Sequence, residues 1–306
     1  MSHLQILEPN YLLSTSVLDF NQNQPQIIFK KEGITYIRPS PQFSPYIDLY
    51  THFTGKYLPK SLRAYPQNFT EIWIHFGDIP CFLLSEQLNQ LPAMSLIGPN
   101  STPKEYIFEG NFNSLHIAFR LGGEKPFIGY SPIDFPTTPI MLSDVFPCWK
   151  VQYLWDMTRL APLQQVIAIE QLLAFSFQPD FSIDDRTQYG IEIVRRNWGQ
   201  VEVTQLAEGL NISERQLLRS FKLETGLTTN KIIRLNRFKG ALLHLNQLYK
   251  PNFAQLALEH GYSDQPHFIR EFSKFAGISP TAFLKRRETL GFLQDEWVKY
   301  AKRGQT

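Results

Sequence analysis

The 306-residue sequence predicts an α+β chain of two domains: a β-rich barrel or sandwich, a helical linker, then an all-α domain. Three observations carry this. Apolar residues alternate with period two through much of the first half and follow a helical period from Trp149 onward. A pattern of about fifty residues occurs twice in the last third. Charge also divides: residues 1–185 hold 11 Lys+Arg against 17 Asp+Glu, a net of −6, while residues 186–306 hold 19 against 11, a net of +8. A basic unit behind an acidic one suits a polyanion-binding module joined to a part that avoids polyanions. The expected boundaries are a leader over 1–25, a β-rich domain over 26–148, a helical linker over 149–183, the basic domain over 184–288 and a helical tail over 289–306.

The leader is rich in Asn, Gln and Ser around Leu4, Ile6, Leu12, Leu13, Val17, Leu18 and Phe20, and is expected to pin itself loosely to the next domain. Gln26–Phe29 and Ile34–Arg38 flank Lys30-Lys31-Glu32-Gly33, a hairpin signal. In Glu71–Phe76, Ile72, Ile74 and Phe76 alternate with Trp73 and His75 before Gly77-Asp78. Tyr106–Phe108 is a short run. Leu115, Ile117 and Phe119 alternate with His116, Ala118 and Arg120 before Gly122-Gly123. Prolines at 126, 132, 136, 139 and 147 exclude long helices from the next stretch. Many short strands with turn chemistry point to a barrel or sandwich.

The linker's apolar spacing predicts two helices broken at Ala161-Pro162, then a polar stretch over Gln178–Asp185. Arg186–Trp198 is a further helix with Ile191, Val194 and Trp198 inward, closed by Gly199. Leu290, Leu293, Trp297 and Tyr300 give the tail an apolar stripe suited to docking on its own chain.

The repeat carries the chemistry. In Ala254–Arg287, a small apolar helix stops at His260-Gly261, Ser263 and Asp264 can cap the next helix, and Phe268, Phe272 and Phe275 form one buried stripe. Pro266 sits in the first turn, where no donor is lost. Gln265, His267, Ile269 and Arg270 then face outward. Upstream, Leu206-Ala207 answers Leu256-Ala257, Ser213 answers Asp264, Arg219 answers Arg270, Phe221 answers Phe272 and Gly226 answers Gly277. The offset is fifty at the first pair and fifty-one afterwards, so one residue is inserted in the second turn. Helix, glycine turn and capped helix with an exposed polar face is the helix-turn-helix pattern that reads a major groove. A long helix over Thr229–Leu248 joins the copies.

SERQLLRSF, RLNRFKGALLHL and LALEHGYSDQPHFIREFSKFAGISPTAF resemble the DNA-binding domain of the AraC/XylS family of transcription regulators, over roughly the last third of the chain. More loosely, Tyr36–Pro39 with Phe43–Ile47, Tyr65–Asp78, Gly98 and Phe119–Gly123 resemble the sensor domain of one branch of that family. They depart from it at Pro66-Gln67-Asn68, where relatives often carry a proline-aspartate-glycine turn, so no effector-binding residues are carried over. The resemblance implies a chain that places two recognition helices in successive major-groove segments. It implies double-stranded promoter DNA as partner, a small-molecule effector, and RNA polymerase where the protein activates; the apolar stripe over Trp149–Phe177, more than a linker needs, predicts a homodimer.

Arg219 and Arg270 hold the same outward position and are the leading base readers, since arginine can donate two bonds to guanine. Arg215 and Gln216 lie one turn before Arg219, as Gln265 and His267 do before Arg270. Leu218 stands where relatives often carry a polar reader, and suits a thymine methyl. Lys222, Arg234, Arg237 and Lys274 are phosphate candidates.

Other chemistry is poorly served. His75 and His116 can both line a barrel, but the clustered histidines and glutamate of a metal-binding cupin are absent, so a cupin-like domain without metal or cofactor is expected. Gly122-Gly123-Glu124 is too short for a phosphate loop, and no Gly-x-Ser-x-Gly elbow occurs. Cys81 and Cys148 form no disulfide framework and no metal-bound cluster. No catalytic residue is assigned. Met1–Asn10 lacks the basic start and apolar core of a signal peptide, and no run reaches membrane-spanning length, so a cytoplasmic protein without a membrane partner is expected. The reading adopted is an effector-controlled DNA-binding regulator that is not an enzyme; the alternative is a regulator whose first domain only assembles subunits, and the least favoured is an enzyme with a DNA-binding tail.

Overall fold

The computed structural model describes residues 23–31, 33–55, 61–84, 87–100, 102–129 and 138–285. The expected leader lies almost wholly outside the described residues, and the tail entirely so.

The first unit is built on two antiparallel sheets. The larger contains β1 (Gln26–Lys31), β2 (Ile34–Arg38), β3 (Ile47–Gly55), β10 (Phe112–Phe119), β5 (Glu71–His75), β8 (Met94–Ile97) and β11 (Ile140–Met141), in that spatial order. The smaller runs β4 (Ser61–Ala64), β9 (Lys104–Ile107), β6 (Cys81–Leu84), β7 (Gln87–Gln90). The predicted hairpin is β1–β2, with Gly33 in the left-handed region at φ 77°. The sequence reading passed over β3, β4, β6, β7, β8 and β11. Most are only four residues or fewer, too short for a period to show. The exception is β3: its burial runs nearly unbroken, because both faces of that strand are covered, and it shows no alternation.

Alternation in β5 and β10 sorts two environments. Ile72, Ile74, Leu115 and Ile117 face a core completed by Leu154, Val166, Ile169 and Leu173. Those last residues belong to α2 (Cys148–Asp156) and α3 (Pro162–Ser176), the two helices expected on either side of Ala161-Pro162. On α3, the buried Glu170 accepts from the backbone N of Ser40 at 2.9 Å and ties the helix to the end of β2. Glu71, Trp73, His75, Ser114 and His116 point the other way, into the space between the sheets. Among the described residues of the proline-rich stretch before Cys148, the α-helix is the four-residue α1 (Lys125–Ile128), followed by β11 and a 3-10 turn at Leu142–Asp144.

The second unit comprises α4 (Asp185–Arg196), α5 (Val203–Gly209), α6 (Glu214–Thr225), α7 (Thr229–Leu245), α8 (Phe253–Glu259) and α9 (Gln265–Ala276). Asp184 caps α4, accepting from the backbone N of Arg186 and Thr187. The helical core gathers Leu217, Phe221, Phe238, Phe268, Phe272 and Phe275, and extends across the domain boundary to Tyr65 and Leu121. At α7 the helix stops at Leu245, three residues short of the expected end. At 1.5 Å per residue it is about 25 Å long, so it does not by itself span the roughly 34 Å of one duplex turn.

The end of α4 makes a close backbone contact with α7. Trp198 and Gly199 are both left-handed, at φ 52° and 69°. A Cβ on Gly199 would lie 2.1 Å from the Ile233 carbonyl oxygen and 2.9 Å from the Arg237 nitrogen. Gly199→Ala is therefore expected to destabilise the protein by about 3 kcal/mol through strain and displacement of α4, read as a lowered urea midpoint with an unchanged slope.

Candidate nucleic-acid interface and interior cavity

The repeat seen in the sequence is a repeat in space. The leading helices α5 and α8 each have seven residues, offset by fifty, and α6 and α9 each have twelve, offset by fifty-one. Both turns are built alike. Asn211 and Gly261 take φ 53° and 70°. Ile212 N then donates to the Ala207 carbonyl at 3.1 Å, and Tyr262 N to the Ala257 carbonyl at 2.9 Å. Ser263 is thus the inserted residue, after which Ser213 and Asp264 cap equivalent helices. Ser213 Oγ accepts from Gln216 N at 3.3 Å, and Gln216 Oε1 accepts in return from Ser213 N at 3.0 Å. Asp264 accepts from His267 N at 2.6 Å. Gly226 and Gly277 close both helices in the left-handed region.

On the outer faces, Arg215, Gln216, Leu218, Arg219 and Lys222 of α6 are exposed, as are Gln265, Arg270 and Lys274 of α9. His267 and Ile269 are half-buried. Arg215, Arg219, Arg270 and Lys274 make no hydrogen bond or ion pair within the described residues. Gln216 is partly occupied by its cap. His267 stands 3.0 Å from Ser263 Oγ through Nδ1 and packs edge-on against Tyr262. Lys222 Nζ donates to the Gly226 carbonyl at 2.8 Å.

Arg234 and Arg237, expected from the sequence to face phosphate, also make contacts within the helical domain. Arg234 pairs with the buried Glu271 and lies over the Phe275 ring at 5.5 Å. Arg237 donates to the Gly199 carbonyl at 3.3 Å and lies over Tyr262 at 5.6 Å. Both guanidiniums already bond within the helical domain. The signal for this was present: Glu271 sits within the Phe268, Phe272, Phe275 stripe, where a charge needs an internal partner. Sequence reasoning also missed Lys231. It lies where α6 and α9 end beside the start of α7, and burial, then the Lys222 and Lys274 charges, lower its pKa from the ordinary lysine value.

Between the sheets lies a cavity of about 180 Å³, bordered on one side by Leu235, Phe238 and Leu242 of α7. An engineered apolar cavity of about 150 Å³ holds benzene, so this one has room for a small ring compound. Phe53 and Trp73 stack at 5.5 Å with planes 17° apart, and Trp73 lies 4.4 Å from the His116 ring. His116 Nε2 is 2.8 Å from Glu71 Oε2, and His75 Nδ1 is 2.6 Å from Ser114 Oγ. The other ring nitrogen of His75 is buried without a hydrogen-bond partner among the described residues. Burial lowers His75 to about 4, so it is neutral at pH 7. The two histidines do line the interior, as the alternation implied. Among the described residues no group of three or more His, Cys, Asp or Glu is placed to hold a metal ion.

A family model described as a helix-turn-helix domain matches residues 206–286, from α5 to just beyond α9. This region is an AraC-type helix-turn-helix domain. Beyond the AraC-type domain, a helix-turn-helix-type transcriptional regulator from Haemophilus influenzae, itself uncharacterized, is 28% identical over 196 residues. That match covers 60% of this chain and spans 64% of the relative's length. Among solved structures, ToxT from Vibrio cholerae is 12% identical with a TM-score of 0.44, covering 76% of this chain and 98% of its own. A transcriptional regulator from Chromobacterium violaceum with an AraC-type DNA-binding domain is 25% identical with a TM-score of 0.32, covering 35% of this chain and 95% of its own.

The caps and the internal pair of the AraC-type domain have separable costs. Asp264→Ala is expected to lower the unfolding free energy by about 1 kcal/mol, and Glu271→Ala, which strands Arg234, by about 2 kcal/mol. Urea denaturation of the full chain measures both.

Proposed function

We propose that this protein is a cytoplasmic, sequence-specific DNA-binding transcription regulator controlled by a small molecule held in its β-rich domain. It acts by binding, without bond chemistry. One observation carries the reading: two equivalent capped helices present Arg219 and Arg270 outward, and the helix joining them, α7, also walls the interior cavity. A ligand there touches the element that sets the two recognition helices, so it can favour one arrangement over another. The cavity lining suits a small, flat, mainly apolar ligand that offers one polar group to the free nitrogen of His75.

Arg215, Arg219, Gln265, His267 and Arg270 are the proposed base-edge readers, with Leu218 against a thymine methyl. Lys222, Lys231 and Lys274 are the proposed phosphate ligands, their shared positive potential offset by phosphate. Exposed Trp155 and Phe175 on α2 and α3 support pairing of two copies through the linker helices. RNA polymerase is a further partner where the protein activates. Among the described residues no helix is long and apolar enough to cross a membrane.

Binding of the full chain to its selected operator and to single-base variants tests the assignment. Arg270→Ala is expected to cost about 1–3 kcal/mol and to relax preference at one or two base pairs. Lys274→Ala is expected to weaken all sequences about equally and to flatten the salt dependence. An Arg270→Ala protein with unchanged affinity and base profile excludes α9 as the reader. Trp73→Ala is expected to remove any effector response while leaving effector-free operator affinity within about twofold, since it alters only the cavity wall.

A further inference from the structure

One lysine joins the β-rich domain to the first recognition helix, and a buried carboxylate precedes it in the chain. Lys125, at the start of α1, donates through Nζ to Glu224 Oε2 in the last turn of α6. The lysine side chain is 11% exposed and the glutamate 23%. The preceding residue, Glu124, is fully buried, and neither carboxyl oxygen has a partner in hydrogen-bonding geometry. The hydroxyl of Thr70 beside it is fully buried and likewise unbonded. The loop has no slack. Gly122 is left-handed, and a Cβ there would lie 2.2 Å from Ile183 Cδ1 and 3.2 Å from the Glu224 carbonyl oxygen.

We propose that Glu124, Lys125 and Glu224 form a proton-controlled latch between the β-rich domain and the first recognition helix. While Glu124 is neutral, Lys125 has one carboxylate partner, Glu224, and α6 is held to the domain. When Glu124 ionises, a second carboxylate, adjacent in sequence and fully buried with only neutral groups and Lys125 acting on it, competes for the same ammonium group. A buried charge needs such a partner far more than the part-exposed Glu224 does, so the lysine is drawn back and the last turn of α6 is released.

Burial pushes the Glu124 carboxyl up to about 7, against its own backbone, the Thr70 hydroxyl and Lys125. Because the folded pKa lies above that of a free carboxyl, the neutral form is the one the fold favours. The latch is therefore closed in acid and opens as pH rises through about 7. Among the charged groups on the elements packed nearby, Arg120 and Glu170 have other partners. Arg120 donates to the Ser44 carbonyl and pairs with Asp48, and Glu170 accepts from Ser40. Asp180 lies on the 3-10 turn after α3. Lys125 is the one charge among the described residues that acts on the proton of Glu124.

The latch rests on this geometry; its consequence for operator binding rests on the reading proposed above. Hydrogen exchange of the full chain, corrected for intrinsic rates, tests it without DNA. Amides of residues 221–226 are expected to lose protection by about threefold or more between pH 6 and pH 8. Glu124→Gln is expected to keep the protection of pH 6 at both values, and Lys125→Met to lack it at both. Unchanged wild-type protection, or the same pH response in Glu124→Gln, overturns the latch. If the glutamine variant does not fold, carboxyl ¹³C titration of the wild type decides: a midpoint for Glu124 between pH 6 and 8 supports it, and one below about 5 overturns it. Operator affinity that shows no pH response while the exchange result holds would count against the proposed DNA reading and leave the latch standing.

Discussion

The packing of one ring, Phe238, joins the parts of this molecule. It lies fully inside the helical core, 5.4 Å from Phe272 and 5.3 Å from Phe275 of the second recognition helix. On its other side it meets Tyr65 of the β-rich domain edge-on at 6.3 Å. Tyr65 in turn reaches Phe283, beyond that helix, at 6.0 Å. Side chains packed at interior density do not deform smoothly. A change in the cavity that moves Phe238 therefore has to be accommodated by α9, by Tyr65, or by both.

Several polar contacts sit around this apolar centre, and they reach the same part of each recognition helix. Lys125 pairs with Glu224 in the last turn of α6. Arg63, on β4, donates to the Ala276 carbonyl at the end of α9 at 3.4 Å and is 3.5 Å from Glu105. A Cβ on Gly277 would already lie 2.9 Å from Pro103, so the β-rich domain abuts the α9 cap directly. Positive groups at helix C-termini interact favourably with the exposed carbonyls there. The domain thus grips α6 and α9 at their ends and leaves the faces with Arg219 and Arg270 open. Control through orientation, with the faces left uncovered, is the form of regulation this arrangement supports.

The helical half was largely legible in the sequence because its signals are local and occur twice. The caps at Ser213 and Asp264, the stops at Gly226 and Gly277, and the phenylalanine stripe each depend on residues within one or two turns. The inserted residue could be counted from the offset alone. The β-rich half was legible only where one face is apolar and the other is not, as in β5 and β10. Strand β3 is covered on both faces, and β4, β6 and β7 are four residues each, so neither period nor length marked them.

The contacts between the halves were not legible, for a physical reason. Lys125 and Glu224 are 99 residues apart, and Arg63 and Ala276 are 213 apart. No local pattern encodes such pairs. A charged residue in the sequence looks like a solvated face until the fold shows what covers it. The two arginines of α7 make the point from the other side. Arg234 and Arg237 read as phosphate ligands because they are basic and near the repeat, yet they bond Glu271 and the Gly199 carbonyl inside the domain. Lys222, Lys231 and Lys274 come from three different helices and meet only in three dimensions. In this domain, then, the fold decides what each charge meets: Arg234 pairs with Glu271 and Arg237 with the Gly199 carbonyl, while Arg219 and Arg270 stay exposed. Sign and position in the sequence do not separate them.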